Sequence, residues 1–214
     1  KGEIHFAGAL ENNEDTGTLQ YLASTAMEAG FSTRVLDMQA LDLQNGRFFD
    51  PAGELVNRCF KLYPWEWMVD ESPDGCLAEM EWLEPIWKLV MSNKAILATL
   101  YELFPDSPYV LPCYLSRPRS GLFCKKPVFS REGHNVSVVD IRDWEEYVRI
   151  AETEGDYNTG AYVYQEYVEP TAYSGRYPVI GSWIIGGEAA GIGIRENRME
   201  VTDNLSEFVP HIIG

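Results

Sequence analysis

The sequence is poor in basic residues. Lys and Arg supply 17 of the 214 residues against 33 Asp and Glu, which gives a formal net charge of -16, and the longest basic run is the pair Lys125–Lys126. The electrostatic field of such a negatively charged protein repels nucleic-acid phosphates and anionic lipid headgroups. We therefore expect neither nucleic acid nor a membrane surface as a partner.

Long apolar runs and secretory features are also missing. The longest apolar stretches, such as residues 161–164 and 178–185, fall far short of the ~20 residues that cross a bilayer. No signal-peptide pattern opens the chain. The four cysteines show no Cys-x-x-Cys spacing. We predict reduced thiols in a cytoplasmic protein, with a disulfide as the alternative.

Signatures of several common catalytic sites do not occur. His5, His134 and His211 are too scattered to suggest a zinc site. No Gly-x-Ser-x-Gly elbow, Walker A spacing or Cys/His nucleophile arrangement is present.

The apolar and aromatic content, 45% and 13% of the residues, is ample for a folded core. Residues 3–7 predict a strand, residues 11–16 a helix start, Gly30 a helix end and residues 33–36 a second strand. This strand–helix–strand order indicates an α/β protein.

Further elements follow from turn and periodicity signals. We predict a strand over residues 56–62, amphipathic helices separated by a turn over 65–90, and a helix over 93–104 that Pro105 ends. From Gly121 the pattern changes to β. The strands predicted there are 122–126, 136–140, 162–167, 178–185 and 191–195, with a short last strand at Val201.

Phosphate-binding chemistry is suggested by the hairpin after Lys125–Lys126. Its tip, residues 129–135, contains Ser, Arg and Gly, so backbone N–H groups and cations could meet a phosphate there. An ordinary solvated hairpin remains the alternative.

Three other positions each have both a functional and a structural interpretation. Lys94 stands at a predicted helix start, where a cation opposes the helix dipole. Gln165 could bond an adenine edge or merely a neighbouring strand. Arg195 ends a Gly-containing strand, where Gly permits the close approach of a ligand or simply tight sheet packing.

A set of segments, occurring in order over nearly the whole chain, resembles the glutathionylspermidine synthase family of synthetase-like proteins with an ATP-grasp fold. These segments are HFAGALENNEDTGTLQYL, FKLYPWEWM, WLEPIWKLVMSNKAILATLYELFP, KKPVFSREGHNV, YVYQEYVEP, GSWIIGGEAAGIGIREN and SEFVPHII. The resemblance implies an α/β (α+β), ATP-grasp-like fold. Residues 1–90 would form a pre-ATP-grasp-like α/β segment with Trp-rich helices, and residues 91–214 the nucleotide-binding region.

The resemblance also assigns roles, position by position. Lys94 and Lys126 match the two ATP-binding lysines. Arg131, in a loop that matches the family's mobile phosphate lid, would contact the transferring phosphoryl group. Arg195 matches an arginine at the phosphate or acyl-phosphate site. Both arginines would be catalytic. The remaining implied ATP-binding residues are Ser130, Gly133, Gln165, Glu166 and Tyr167.

The implied activity is that of an ATP- and Mg²⁺-dependent carboxylate–amine ligase, which forms an amide through an acyl phosphate. Its partners would be a small-molecule or peptide carboxylate and an amine, for which a polyamine suits so acidic a chain. The alternative is a non-catalytic nucleotide-binding or interaction module that lacks the metal-binding motif.

The metal ligands are the part of the family pattern that this sequence does not supply. The family's Arg-x-Asp and Glu-x-Asn motifs are expected upstream of Lys1, so we expect the C-terminal portion of a longer ligase. Glu11 and Asn13 echo the Glu-x-Asn motif and offer the oxygen ligands that Mg²⁺ prefers. They are kept as the alternative metal ligands.

Overall fold

The computed structural model describes residues 2–143, 146–157, 160–201 and 206–212. The chain divides into two compact units, Lys1–Met91 and Ser92–Gly214. Within the described ranges, no helix combines the length and the apolar character that crossing a bilayer requires.

The first unit is built on a parallel sheet. Its strands are β1 (Glu3–Gly8), β2 (Ser32–Asp37), β3 (Asp42–Gln44), β4 (Arg47–Phe49), β5 (Leu55–Val56), β6 (Arg58–Leu62) and β7 (Glu81–Leu83). Its helices are α1 (Asn13–Glu28), α2 (Trp65–Glu71), α3 (Pro73–Cys76) and α4 (Leu89–Ser92), with 3₁₀ turns at Met38–Ala40 and Ile86–Lys88. The main sheet has the order β2-β1-β6-β7, and β3-β4-β5 form a small antiparallel sheet.

The predicted strand–helix–strand unit at the start of the chain is confirmed. Asn12 caps α1, because its Oδ1 accepts hydrogen bonds from the backbone N–H groups of Glu14 at 2.9 Å and Asp15 at 3.5 Å. Leu19 and Ala23 are buried against β1, and β1 pairs with β2 in parallel. Helical spacing of the apolar residues therefore fixes the face that α1 presents to the sheet.

The cap gives a stability prediction. Replacing Asn12 with Ala leaves two N–H groups of the first turn without their acceptor, so we expect the free energy of unfolding to fall by about 1 kcal/mol. Urea denaturation measures this change. Gln20→Ala, an exposed change within the same helix, is the control and should stay within about 0.5 kcal/mol of the parent. An equal loss in both variants would contradict the capping role.

The other face of the parallel sheet carries an aromatic core. Trp82 lies between Phe48 and Trp65, with ring centroids 5.5 and 5.6 Å away and edge-to-face geometry. The buried Met68 and Val56 pack in the same cluster. Helix α2 and the β3-β4-β5 sheet thus share one hydrophobic core with the main sheet.

Two predictions for the first unit are wrong. Residues 65–90 are not only helices and a turn, because Glu81–Leu83 forms β7 and pairs in parallel with β6. Burial of Trp82 in the aromatic core holds this short segment in the sheet. The predicted strand 56–62 is divided at Asn57, since Val56 pairs with β4 whereas Arg58–Leu62 pairs with β1.

The second unit is mostly antiparallel sheet. Its elements are α5 (Ala95–Leu103), β8 (Cys113–Tyr114), β9 (Gly121–Pro127), β10 (Ser137–Ile141), β11 (Tyr147–Glu152), β12 (Tyr162–Glu166), β13 (Tyr177–Ile185), β14 (Glu188–Asn197) and β15 (Glu207–Val209). One sheet has the order β11-β10-β9-β12-β8, and a second has the order β13-β14-β15.

The two faces of the five-stranded sheet differ. On one face, Tyr101 of α5 contacts Tyr114, which in turn contacts Phe123. We call this the helix face. Lys126 and Val163 are opposite one another on the other face, which we call the groove face. Adjacent residues of a strand point to opposite faces, so Lys125 and Lys126 belong to different faces.

The predicted β region is confirmed with corrections. Val201 is not in a strand, and the last described strand is β15. Strand β11 was not predicted. All four cysteines are free thiols, as expected.

Candidate functional site

Lys94 and the hairpin tip are in direct contact. The Lys94 ammonium donates hydrogen bonds to the Ser130 carbonyl oxygen at 2.5 Å and to the Ser130 Oγ at 2.9 Å. Its backbone N–H donates to Val128 O at 2.8 Å, while Asn93 Oδ1 caps the helix by accepting from Ala95 N. The start of α5, which carries Lys94, is therefore in direct contact with the loop after β9.

Lys126 and Gln165 form a second contact, on the groove face. Strands β9 and β12 are paired so that Lys126 is opposite Val163 and Gln165 is opposite Cys124. The Lys126 ammonium donates a hydrogen bond of 2.7 Å to Gln165 Oε1. A cation and an amide, 39 positions apart in the chain, are thus held side by side.

The loop of residues 129–135 is anchored by its neighbours. Thr153 Oγ1 donates a hydrogen bond of 2.5 Å to Gly133 O. Asn135 donates from Nδ2 to Gly155 O and accepts at Oδ1 from Tyr157 N, both at 2.8 Å. Gly133 has φ +72°, a conformation that Gly adopts without steric cost. The loop that carries Arg131 is therefore fixed at both Ser130 and Gly133.

The segment after Gln165 is held by backbone hydrogen bonds. The Glu166 N–H donates to Pro112 O at 2.8 Å, and the Tyr167 N–H donates to Leu122 O at 3.0 Å. These two amides are consequently engaged within the unit. A ligand bound at the segment of residues 165–167 would have to contact its other groups or displace these bonds.

Tyr167 also contacts a residue that sequence reasoning missed. Its hydroxyl donates a hydrogen bond of 2.6 Å to Glu200 Oε2. This bond, with burial as the second cause, raises the pKa of Tyr167. Glu200 follows β14 at a distance of 33 positions from Tyr167, and no motif in the sequence singles it out.

A groove of about 450 Å³ lies between the groove face and the segment after β14. Val138 and Ala151 line the sheet side, and Tyr177, Met199 and Glu200 line the other side. The groove thus combines apolar walls with a few polar groups, as small-molecule sites commonly do.

The charge of Lys126 acts on two cysteine thiols of the five-stranded sheet, Cys113 and Cys124. Burial raises the pKa of the Cys124 thiol, while Lys126 acts to lower it and Glu200 to raise it. Burial also raises the pKa of Cys113, and Lys126 again acts in the opposite direction. The charges of Lys126 and Glu200 therefore both act on the Cys124 thiol.

Arg195 lies in the other sheet of the unit. It is on β14, paired with Val179 on one side and with Phe208 on the other. Its guanidinium carbon is 5.9 Å from the centroid of the Phe208 ring. The structure describes no contact between Arg195 and the two lysines.

The structure brings the predicted residues into two direct pairs, Lys94 with Ser130 and Lys126 with Gln165. Arg131 and Gly133 belong to the loop of the first pair, and Glu166 and Tyr167 follow the second along the chain. Arg195 is held separately.

The alternative metal ligands lie in the other unit. Glu11 is exposed in the turn before α1, and Asn13 is the first residue of that helix. Across residues 2–143, 146–157, 160–201 and 206–212, no three His, Cys, Asp or Glu side chains are grouped to hold a metal ion.

Comparison with known proteins connects this geometry to a family. The family model "Glutathionylspermidine synthase preATP-grasp" matches residues 1–214. A Haemophilus influenzae protein, named provisionally as an acid–amine ligase, is 34% identical over 99% of this chain and 56% of its own length.

More distant relatives are larger. The trypanothione synthetase of Crithidia fasciculata is 28% identical over 97% of this chain and 35% of its own length. The bifunctional glutathionylspermidine synthetase/amidase of Escherichia coli K12 is 26% identical over 94% of this chain and 36% of its own length. The chain spans about half or less of the length of these relatives.

A solved structure, that of D-cycloserine synthetase, matches the fold. It superposes with a TM-score of 0.55 and 15% sequence identity, over 91% of this chain and 68% of that one. The α/β, ATP-grasp-like fold expected from the sequence is thereby confirmed. Because the family model covers every residue, the chain belongs to the glutathionylspermidine synthase pre-ATP-grasp family.

Proposed function

We propose that this chain carries the nucleotide-binding part of an ATP-dependent carboxylate–amine ligase. The observation that carries the proposal is the Lys126–Gln165 pair beside a groove with apolar walls, in a chain whose relatives are named as ligases and synthetases. In the proposed reaction a substrate carboxylate attacks the γ-phosphorus of ATP. This step forms an acyl phosphate and releases ADP. An amine then attacks the acyl phosphate, and amide and inorganic phosphate leave.

The lysines are proposed to bind the phosphates. Phosphoryl transfer is catalysed mainly by positioning and by cations aimed at developing charge. Lys126 is held by Gln165 on the groove face, so its ammonium has a defined position. Lys94 is proposed to act from the loop side, where Ser130 holds it.

The two arginines are proposed to stabilise charge on the transferring group. Arg131 lies in the anchored loop beside Ser130, and Arg195 projects from β14. For both to act on one phosphoryl group, the loop and the β13-β14-β15 sheet must approach the same ligand. Gln165 and the segment of Glu166 and Tyr167 are proposed to hold the adenine end.

Mg²⁺ is proposed as the usual companion of ATP, whose charge it neutralises when bound. Among the described residues no three His, Cys, Asp or Glu side chains are grouped to hold a metal ion, and no step is assigned to Mg²⁺. The proposed substrates follow the relatives' names: glutathione as the carboxylate and spermidine as the amine. The net charge of -16 favours a cationic amine through long-range attraction.

The test has two parts. The 214-residue chain is titrated with ATP in a calorimeter, with and without Mg²⁺. Turnover is then assayed with the full-length protein. We expect saturable ATP binding at one site. We also expect ADP release that requires both a carboxylate and an amine, with glutathione and spermidine as the first pair tried.

The possible results separate the candidate functions. Absence of ATP binding would overturn the proposal. ATP binding without turnover of any carboxylate and amine by the full-length protein would instead identify a nucleotide-binding module.

A further inference from the structure

A second cavity lies within the second unit, on the helix face of the five-stranded sheet. It has a volume of about 100 Å³ and is lined by Arg117, Lys125, Val139, Ile141, Tyr147 and Tyr164. Two cations and two phenol groups therefore surround one small space. None of these residues belongs to the proposed nucleotide site.

Arg117, which lines this cavity, has hydrogen-bonding capacity left. One terminal nitrogen donates to Asp143 O at 3.0 Å, and its guanidinium carbon is 4.9 Å from the centroid of the Tyr147 ring. Its Nε is buried and has no hydrogen-bond partner among the described residues. A buried donor without an acceptor costs about 1–3 kcal/mol, which an oxyanion bound there would offset.

Lys125 supplies the second charge. Its ammonium lies 4.0 Å from the centroid of the Tyr162 ring, which holds it by a cation–π contact. Within the described residues, neither Lys125 nor Arg117 forms an ion pair with a carboxylate. The neighbouring cations Arg142 and Arg149 differ, since each is paired with a glutamate.

This arrangement is unusual for so acidic a chain. With 33 acidic and 17 basic residues, two cations without carboxylate partners would not be expected to meet at one cavity. The described lining contains no Asp or Glu. The local field therefore favours an anion although the net charge of the chain opposes it.

The apolar floor and the small volume of the cavity restrict the ligands that it could bind. Val139 and Ile141 are each 1% exposed and form an apolar floor. Since a water molecule occupies about 30 Å³ of liquid, a cavity of about 100 Å³ matches one oxyanion group with at most a short apolar extension.

We propose that this cavity binds an oxyanion group, the carboxylate or phosphate of a small molecule, between Arg117 and Lys125. The guanidinium would donate from Nε, the ammonium would add the second charge, and the short carbon chain of a carboxylate would rest on Val139 and Ile141. This site is separate from the proposed ATP site, because Lys125 and Lys126 lie on opposite faces of β9.

The test is titration of the isotopically labelled chain with propionate and, separately, with inorganic phosphate at constant ionic strength. Backbone amide shifts in NMR spectra locate binding. We expect saturable shifts at Arg117, Lys125 and Ile141. A preference for propionate would identify an organic carboxylate as the ligand, and a preference for phosphate would identify a phosphate group.

Variants connect the binding to the two cations. We expect Arg117→Met and Lys125→Met each to weaken binding about tenfold or more, since each removes a charge-assisted hydrogen bond. Lys125→Arg keeps the charge and should retain binding. Arg142→Gln, which removes an exposed cation that is paired with Glu146 at 3.4 Å, is the control.

Either of two results would overturn the proposal: no saturable shift at these amides up to about 50 mM of either anion, or equal affinity in Arg117→Met, Lys125→Met and Arg142→Gln. Dispersed amide spectra of each variant establish that it is folded.

Discussion

Replacing Lys126 with Met is expected to raise the dissociation constant for ATP about 10- to 100-fold. The ammonium lies on the groove face and donates to Gln165 Oε1 at 2.7 Å. Met has similar length and no charge, so the change removes the charge-assisted contact to phosphate with little loss of volume. Such contacts contribute about 1.5–3 kcal/mol. Calorimetric titration with ATP measures the effect.

Two further variants make this result specific. Lys126→Arg keeps the positive charge but changes its geometry, and we expect a smaller loss of affinity than in Lys126→Met. Arg142→Gln removes one cation of the same sheet, at the end of β10, and should leave ATP affinity within about twofold. Unchanged affinity in Lys126→Met, with a parent-like melting curve, would show that the proposed role of Lys126 is wrong.

Local patterns were sufficient to predict some elements. Helix α1 carries its cap, its acidic first turn and its apolar spacing within its own residues. The hairpin of β9 and β10 is likewise marked by a polar, Gly-containing tip. In both cases the determining interactions are close in sequence, so composition and spacing suffice.

Other elements depend on distant partners. Strand β7 has three residues and is held by the packing of Trp82 against Phe48 and Trp65. All residues of β11 are exposed, so no alternation between apolar and polar residues marks it. Strand preference depends strongly on such tertiary context, which a single sequence does not display.

In the candidate site, too, some features follow from the sequence and others depend on contacts between distant residues. The resemblance selected Lys94, Ser130, Lys126 and Gln165 as residues of one site. The contact of Lys126 with Gln165 depends on the register of β9 against β12, and that of Lys94 with Ser130 depends on the contact of the start of α5 with the loop after β9. Glu200 was missed because its link to Tyr167 spans 33 positions and follows no motif. The Arg117–Lys125 cavity was missed because its cations come from a loop and a strand without a shared pattern.

Lys61 is a buried cation, and we expect it to make the free energy of unfolding depend on pH. It is 6% exposed, its ammonium donates to Tyr63 O at 2.6 Å, and it lies 3.9 Å from the centroid of the Trp65 ring. Burial lowers the pKa of Lys61 from 10.5 to about 8, with Glu66 as the largest opposing influence. The folded state therefore releases this proton more readily than the unfolded chain does.

The sign of the pH effect follows from proton binding. Between pH 8 and 10.5 the unfolded chain binds more protons at Lys61 than the folded state does, so this residue's contribution to the free energy of unfolding rises with pH there. Below pH 8 both states are protonated and the cost of burying the charge is fully present. After allowance for solvent screening, the rise amounts to about 2 kcal/mol.

Comparison with Lys61→Met isolates this contribution, because the cysteines and tyrosines titrate in both proteins. We expect the difference in the free energy of unfolding, parent minus variant, to increase by about 2 kcal/mol from pH 8 to 10.5 in urea denaturation. Lys88→Met is the control, since Lys88 is paired with Glu84 at 2.6 Å and lies 5.7 Å from the Trp87 ring, yet is more exposed than Lys61. Parallel pH profiles of the parent and Lys61→Met would show that the buried ammonium does not control stability in this range.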